Sequence, residues 1–152
     1  MMDTIYFNPT PEGYLIKTSE RLLGVIPYNQ RKAVKQYGDV GYKNINSCLR
    51  FTWNCSFSTK KYIKLITQAL LHSKSSKKLT VYRGIPKSVA DLIRSSWAGD
   101  IFTDKGFVST TLSLATAQLY SPNIARIIIP TNFSALYIEP FKKPSVREMA
   151  ED

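Results

Sequence analysis

Three short polar elements carry side chains whose chemistries complement one another: Arg83 in Leu79-Thr-Val-Tyr-Arg-Gly84, the hydroxyl run Ser109-Thr110-Thr111 after Gly106-Phe107-Val108, and the acidic end Glu148-Met149-Ala150-Glu151. A guanidinium presents a fork of donors that matches phosphate oxygens bidentately. Hydroxyls along a strand alternate between its faces, so Ser109 can face a cleft while Thr110 faces elsewhere. A carboxylate stabilises the positive charge that develops on a sugar carbon as its glycosidic bond breaks. Together these are the parts needed to hold a dinucleotide and cleave it at a ribose.

Those side chains need a scaffold, and the hydrophobic pattern supplies one with helices first and strands later. Residues 1–16 place Tyr6, Phe7, Tyr14, Leu15 and Ile16 around two prolines, which reads as an irregular arm or short edge strand. Tyr28 to Tyr37 repeats at helical spacing and is expected to stop at Gly38, with Gly38-Asp-Val-Gly41 as a turn. Tyr42, Ile45, Cys48 and Leu49 repeat at three and four, predicting a second helix. A third follows, capped by Ser58 or Thr59, with Tyr62, Ile63, Ile66, Ala69 and Leu70 as its apolar stripe and Lys60, Lys61, Lys64 and Gln68 outside. From Leu79 the period changes. Leu79–Arg83 reads as a strand, Ser88–Trp97 and Leu114–Tyr120 as helices, and Ala125–Pro130 and Ala135–Glu139 as β-rich runs. The expected class is α+β: one domain over residues 1–152, with N-terminal helices packed on a mainly antiparallel β core.

Composition limits what such a scaffold does. The chain has 152 residues, 43% of them hydrophobic, enough to bury a core without staples, and disorder is expected only at the termini. Cys48 and Cys55, with His72 as the single histidine, make neither a zinc site nor a disulfide framework, so two buried, reduced thiols are expected and no metal. No apolar run reaches membrane-spanning length, and the Met-Met-Asp-Thr-Ile start lacks a signal pattern. A soluble cytoplasmic protein with no membrane partner is the expectation, with signal-independent secretion left open. The net charge of +10 raises the local concentration of polyanions.

The segments Tyr42-Lys-Asn-Ile-Asn-Ser-Cys-Leu-Arg50, Val81-Tyr-Arg-Gly84 and Gly106-Phe-Val-Ser-Thr-Thr111, in that order, resemble the mono-ADP-ribosyltransferases of bacterial toxins and phages, the class described by Arg, Ser-Thr-Ser and Glu-x-Glu motifs. The resemblance runs from about Gln30 to Glu151. It implies an ADP-ribosyltransferase-like fold and NAD as the ADP-ribose donor. It places Arg83 and Gly84 with the strand-end arginine, Ser109, Thr110 and Thr111 with the Ser-Thr-Ser strand, and Phe107, with Phe102 or Tyr120, near the nicotinamide ring. Thr111 for the last serine keeps the hydroxyl and adds a methyl.

The third motif departs from the family pattern. Aligned on Glu148 as the first acid, Ala150 stands where the catalytic carboxylate belongs. Three readings stay open: an engineered Glu→Ala change, an inactive relative, or a displaced alignment in which Glu148 or Glu151 is the acid. A chain shortened after the motif is also compatible, since the family continues into another strand. The resemblance assigns acceptor recognition to the loop before this motif, here Phe141, Lys142, Lys143 and Glu148. Glu148 as a first acid points to a protein arginine; the charge, with Phe141 beside two lysines, points to RNA or DNA. An inactive NAD- or nucleic-acid-binding module is the alternative outside catalysis. An intracellular toxin or phage effector, held in check by an acidic antitoxin or immunity protein, completes the expectation.

Overall fold

The computed structural model describes residues 11–53 and 55–142, which divide into two compact units, Met1–Lys74 with Ser134–Asp152 and Ser75–Phe133. Candidate residues Lys143, Glu148, Ala150 and Glu151 lie outside the described residues.

The first unit is helical. It contains α1 (Pro11–Leu23), α2 (Tyr28–Gln36), α3 (Tyr42–Phe51), α4 (Phe57–Leu71) and a short α7 (Glu139–Lys142). Residues 11–16 are therefore the start of a helix, not an arm or edge strand. Two prolines stand outside the hydrogen-bonding register of helix interiors: Pro11 opens α1, and Pro27 precedes α2, its carbonyl accepting from Gln30 and Arg31 N–H. α2 packs against α4, and Ala33 and Val34 of the one and Ile66 and Ala69 of the other are buried.

The expected turn at Gly38 is a widened helical turn, since Tyr37–Gly41 is π-helical and runs straight into α3. A Cβ on Gly41 would lie 3.0 Å from the Gln36 carbonyl oxygen, so a residue without one lets the chain pass so close. The start of α4 is also shifted from expectation. Ser56, not Ser58 or Thr59, is its N-cap, and its Oγ accepts from Thr59 N–H at 3.1 Å.

Cys48 and Cys55 form a disulfide, which corrects the expectation of reduced thiols. Sequence spacing does not show that α3 ends in a left-handed turn at Thr52, with Thr52 and Trp53 N–H bonded to the Cys48 and Ser47 carbonyls. That reversal sets the two Cα atoms 5.1 Å apart, within bridging distance.

The second unit is built on β1 (Leu79–Gly84) and β2 (Ile124–Ile129), an antiparallel pair with Leu79 opposite Ile129 and Gly84 opposite Ile124. Leu79 and Val81 point to the buried side, as alternation requires. Helices α5 (Lys87–Arg94) and α6 (Leu114–Gln118) complete it, with α6 packed on β1. The run 135–138 does not form a named strand. It lies in the first unit beside Ser73 and Lys74, with Ala135 N–H bonded to the Ser73 carbonyl, and then enters α7.

Candidate active site

The second unit brings two of the predicted elements together. Arg83, near the end of β1, donates from Nη1 to the Ser109 carbonyl at 2.7 Å, across 26 residues of sequence. Beside it, Tyr82 and Thr111 exchange both backbone hydrogen bonds, at 2.7 and 2.8 Å. The hydroxyl run is thereby fixed against β1 by a single bridge, not by the strand expected for it. Ser109 and Thr110 are exposed, and Arg83 and Phe107 are half-buried.

The two threonines differ. Thr111 Oγ1 accepts from Ser113 N–H at 3.1 Å, and Ser113 Oγ in turn accepts from Thr116 N–H to cap α6. The Thr111 hydroxyl thus shapes the turn into the helix. Thr110, by contrast, stands exposed to water, while Thr111 is half-buried.

Gly84 has a packing reason of its own. A Cβ there would sit 2.8 Å from the Ala117 carbonyl oxygen and 3.1 Å from Ser121 N, so α6 and the turn after it approach β1 only because position 84 has no side chain. The same turn is tied down by Ser121 Oγ, which donates to the Ile85 carbonyl at 2.7 Å. Sequence reasoning missed one further support. Asp104 Oδ1 accepts from Gly106 N–H at 2.8 Å, an Asx turn at the entry to Gly106-Phe107-Val108, legible in Asp-Lys-Gly as a turn signature.

Of the acceptor residues, two are described and neither sits as expected. Phe141 is 3% exposed, in the core of the first unit where α7 meets α1 and α2, so its ring cannot stack on a base as placed. The cause is the short helix, which turns the aromatic inward. Lys142 lies at the end of that helix; its Nζ pairs with Glu139 at 3.4 Å and its stem lies 3.1 Å from the position of a Gly38 Cβ. Phe102 and Tyr120 are exposed. No group of three or more metal-ligating side chains occurs among the described residues. A cleft in the first unit with a mixed polar and apolar lining that includes Gln36, Asn44, Ile45, Ser58 and Tyr62 had no signal in the sequence because these residues come from α2, α3 and α4.

The fold is that of ADP-ribosyltransferase toxins. Plx2a, an ADP-ribosyltransferase toxin from Paenibacillus larvae, superposes with a TM-score of 0.72 at 22% identity, over 86% of this chain and 74% of that one. The Clostridium limosum C3 exoenzyme gives 0.70 at 18%, over 85% and 75%. An ADP-ribosyltransferase from Clostridium botulinum gives 0.66 at 19%, over 82% and 74%. Residues 16–149 match the model of the ADP-ribosyltransferase exoenzyme family, and the chain belongs to that family. A search of curated proteins returns no match. The chain is thus a bacterial-toxin-type mono-ADP-ribosyltransferase, with NAD as its ADP-ribose donor.

Proposed function

We propose that this enzyme transfers ADP-ribose from NAD to a nucleic acid, with Glu148 as the acid that drives cleavage. The observation that carries the NAD-site reading is the 2.7 Å bond from Arg83 to the Ser109 carbonyl, which fixes a guanidinium beside the exposed Ser109 and Thr110. Bound there, one face of the guanidinium fork is oriented by protein and its remaining donors suit the diphosphate of NAD. Ser109 Oγ would orient the carboxylate and the nicotinamide ribose, and Phe107 would pack on the ring.

As the nicotinamide departs, positive charge grows at the ribose C1″. A glutamate stabilises it while accepting from the 2′-hydroxyl, and the bond to nicotinamide nitrogen breaks with its electron pair. An acceptor nucleophile then forms the new bond at C1″ and gives up its proton.

Glu148 is taken as the acid in preference to Glu151 and to a lost acid at 150; that the family match takes in position 148 and ends at 149 supports this reading. On that register Val146 takes the place of the first acid, and no carboxylate stands two residues before the catalytic one to draw a proton from an arginine. The +10 charge supports the same choice, since a basic surface repels an arginine-rich target and attracts a polyanion.

Incubation with NAD labelled in its adenylate half and a cell lysate tests this reading. Label that disappears on nuclease treatment and survives protease supports a nucleic-acid acceptor; label confined to protein overturns it. Comparing the unaltered chain with Glu148→Gln and Ala150→Glu locates the acid. An inert unaltered chain rescued by Ala150→Glu would restore the inactivated-variant reading.

A further inference from the structure

The junction of α3 and α4 in the first unit carries exposed aromatics that the proposed NAD site does not employ. Phe51, Trp53 and Phe57 are 55, 64 and 87% exposed, and the Phe51 and Trp53 rings lie 4.9 Å apart at 33°. The Cys48–Cys55 disulfide closes the reversal that bears the first two. Phe57 opens α4, and Lys60, Lys61 and Lys64 follow it at three, four and seven residues, so one exposed helical face presents a ring and then cations.

The charge along this stretch of the chain is of one sign. From Val40 through Ala90 the chain contains no Asp or Glu, and in the first unit the charged side chains of that stretch are Lys43, Arg50, Lys60, Lys61, Lys64 and Lys74. An exposed aromatic set within such a field suits a partner that is both polyanionic and built of flat apolar rings. Single-stranded nucleic acid has both properties. An anionic membrane fits less well, because an interfacial helix separates its apolar and basic faces. Here the apolar face of α4 is spent on the core through Ile66 and Ala69, and the outward face mixes Phe57 with lysines.

We infer that Phe51, Trp53 and Phe57, with Lys60, Lys61 and Lys64, form a docking platform for single-stranded nucleic acid, on which bases stack and phosphates meet the lysines. This deepens the acceptor reading above and rests on it for its purpose, but its binding is measured separately from transfer.

The test uses the full chain and fluorescein-labelled single-stranded RNA and DNA oligonucleotides of about 20 nucleotides, followed by anisotropy over a range of salt. Trp53→Ala and Phe57→Ala should each weaken binding about tenfold, as loss of a stacked base predicts. Lys60→Ser with Lys61→Ser should lower the slope of log affinity against log salt by about 0.7 per lysine. Trp97→Ala, at an 84% exposed tryptophan of the second unit, should bind as the unaltered chain does. The side chains of Phe57, Lys60 and Lys61 are exposed, so these variants should unfold at the same denaturant concentration as the parent and keep their NAD glycohydrolase activity.

Binding unaffected by both aromatic substitutions, or binding to phosphatidylserine vesicles without binding to oligonucleotide, overturns the platform. So does a loss produced by the lysine changes alone, which would be charge without stacking. The two readings also fail separately. Oligonucleotide held on this face while label from NAD enters only protein keeps the platform and removes the nucleic-acid acceptor. Label entering RNA or DNA equally well with Trp53→Ala and Phe57→Ala, at acceptor concentrations below saturation, keeps the acceptor and removes the platform.

Discussion

At the residue scale, the decisive contact is the one that Arg83 makes with the Ser109 carbonyl. On the proposed role Arg83 would hold this carbonyl and the NAD diphosphate together, and a lysine, which keeps the charge but loses the planar fork, would not. Arg83→Lys is expected to raise the dissociation constant for NAD about tenfold or more, the worth of a hydrogen bond to a charged group, as read by titration calorimetry. Glu148 is expected to behave differently. On the proposed role its carboxylate would interact most strongly with charge that exists only in the transition state, so Glu148→Gln should lower turnover by on the order of 10²–10³ with little change in NAD affinity. Equal losses in both quantities would show that Glu148 binds NAD and does not drive its cleavage.

At the element scale, two backbone positions decide how helices meet their neighbours. Thr52 ends α3 with φ of 58°, a left-handed conformation that crowds a β-branched side chain. Thr52→Gly should stabilise the protein by about 1 kcal/mol, the relief of that crowding less the entropy a glycine loses, as a higher midpoint in chemical denaturation. Gly84 is the opposite case. Gly84→Ala forces a methyl to 2.8 Å from the Ala117 carbonyl, and a destabilisation of about 1–3 kcal/mol is expected in the same measurement. The Cys48–Cys55 bridge spans a sequence separation of seven, and replacing both cysteines by serine should cost about 2–3 kcal/mol under oxidising conditions. The same replacement under strong reductant should cost far less, because the parent then lacks the bridge too.

At the scale of the whole molecule, the charge of +10 is the property that no single contact explains. It predicts that association with a polyanion weakens steeply between low and physiological salt, while NAD hydrolysis in the absence of acceptor changes little. Helix and strand identities were readable where the apolar pattern is clear, as in α4, β1 and β2, and not in α1, whose start carries a proline and an aromatic that suggest an extended arm. The Arg83 and Ser109 pairing was readable only through the family pattern, because two residues 26 apart in sequence give no local sign of contact.

Other features were hidden for identifiable physical reasons. The π turn at Tyr37–Gly41 was hidden because glycine marks both breaks and close approaches, and only the proximity of the Gln36 carbonyl separates them. The disulfide was hidden because bridging depends on a chain reversal at Thr52 that composition does not announce. The burial of Phe141 was hidden because whether an aromatic beside lysines faces water or core is set by the helix it sits in. By itself, then, the sequence determined the chemistry available, the type of those elements whose pattern is unambiguous, such as α4, β1 and β2, and the sign of the charge, all of which are local or summed properties. Only the tertiary structure decided which side chains meet, which are covered and which stand exposed, because those depend on contacts between residues far apart along the chain.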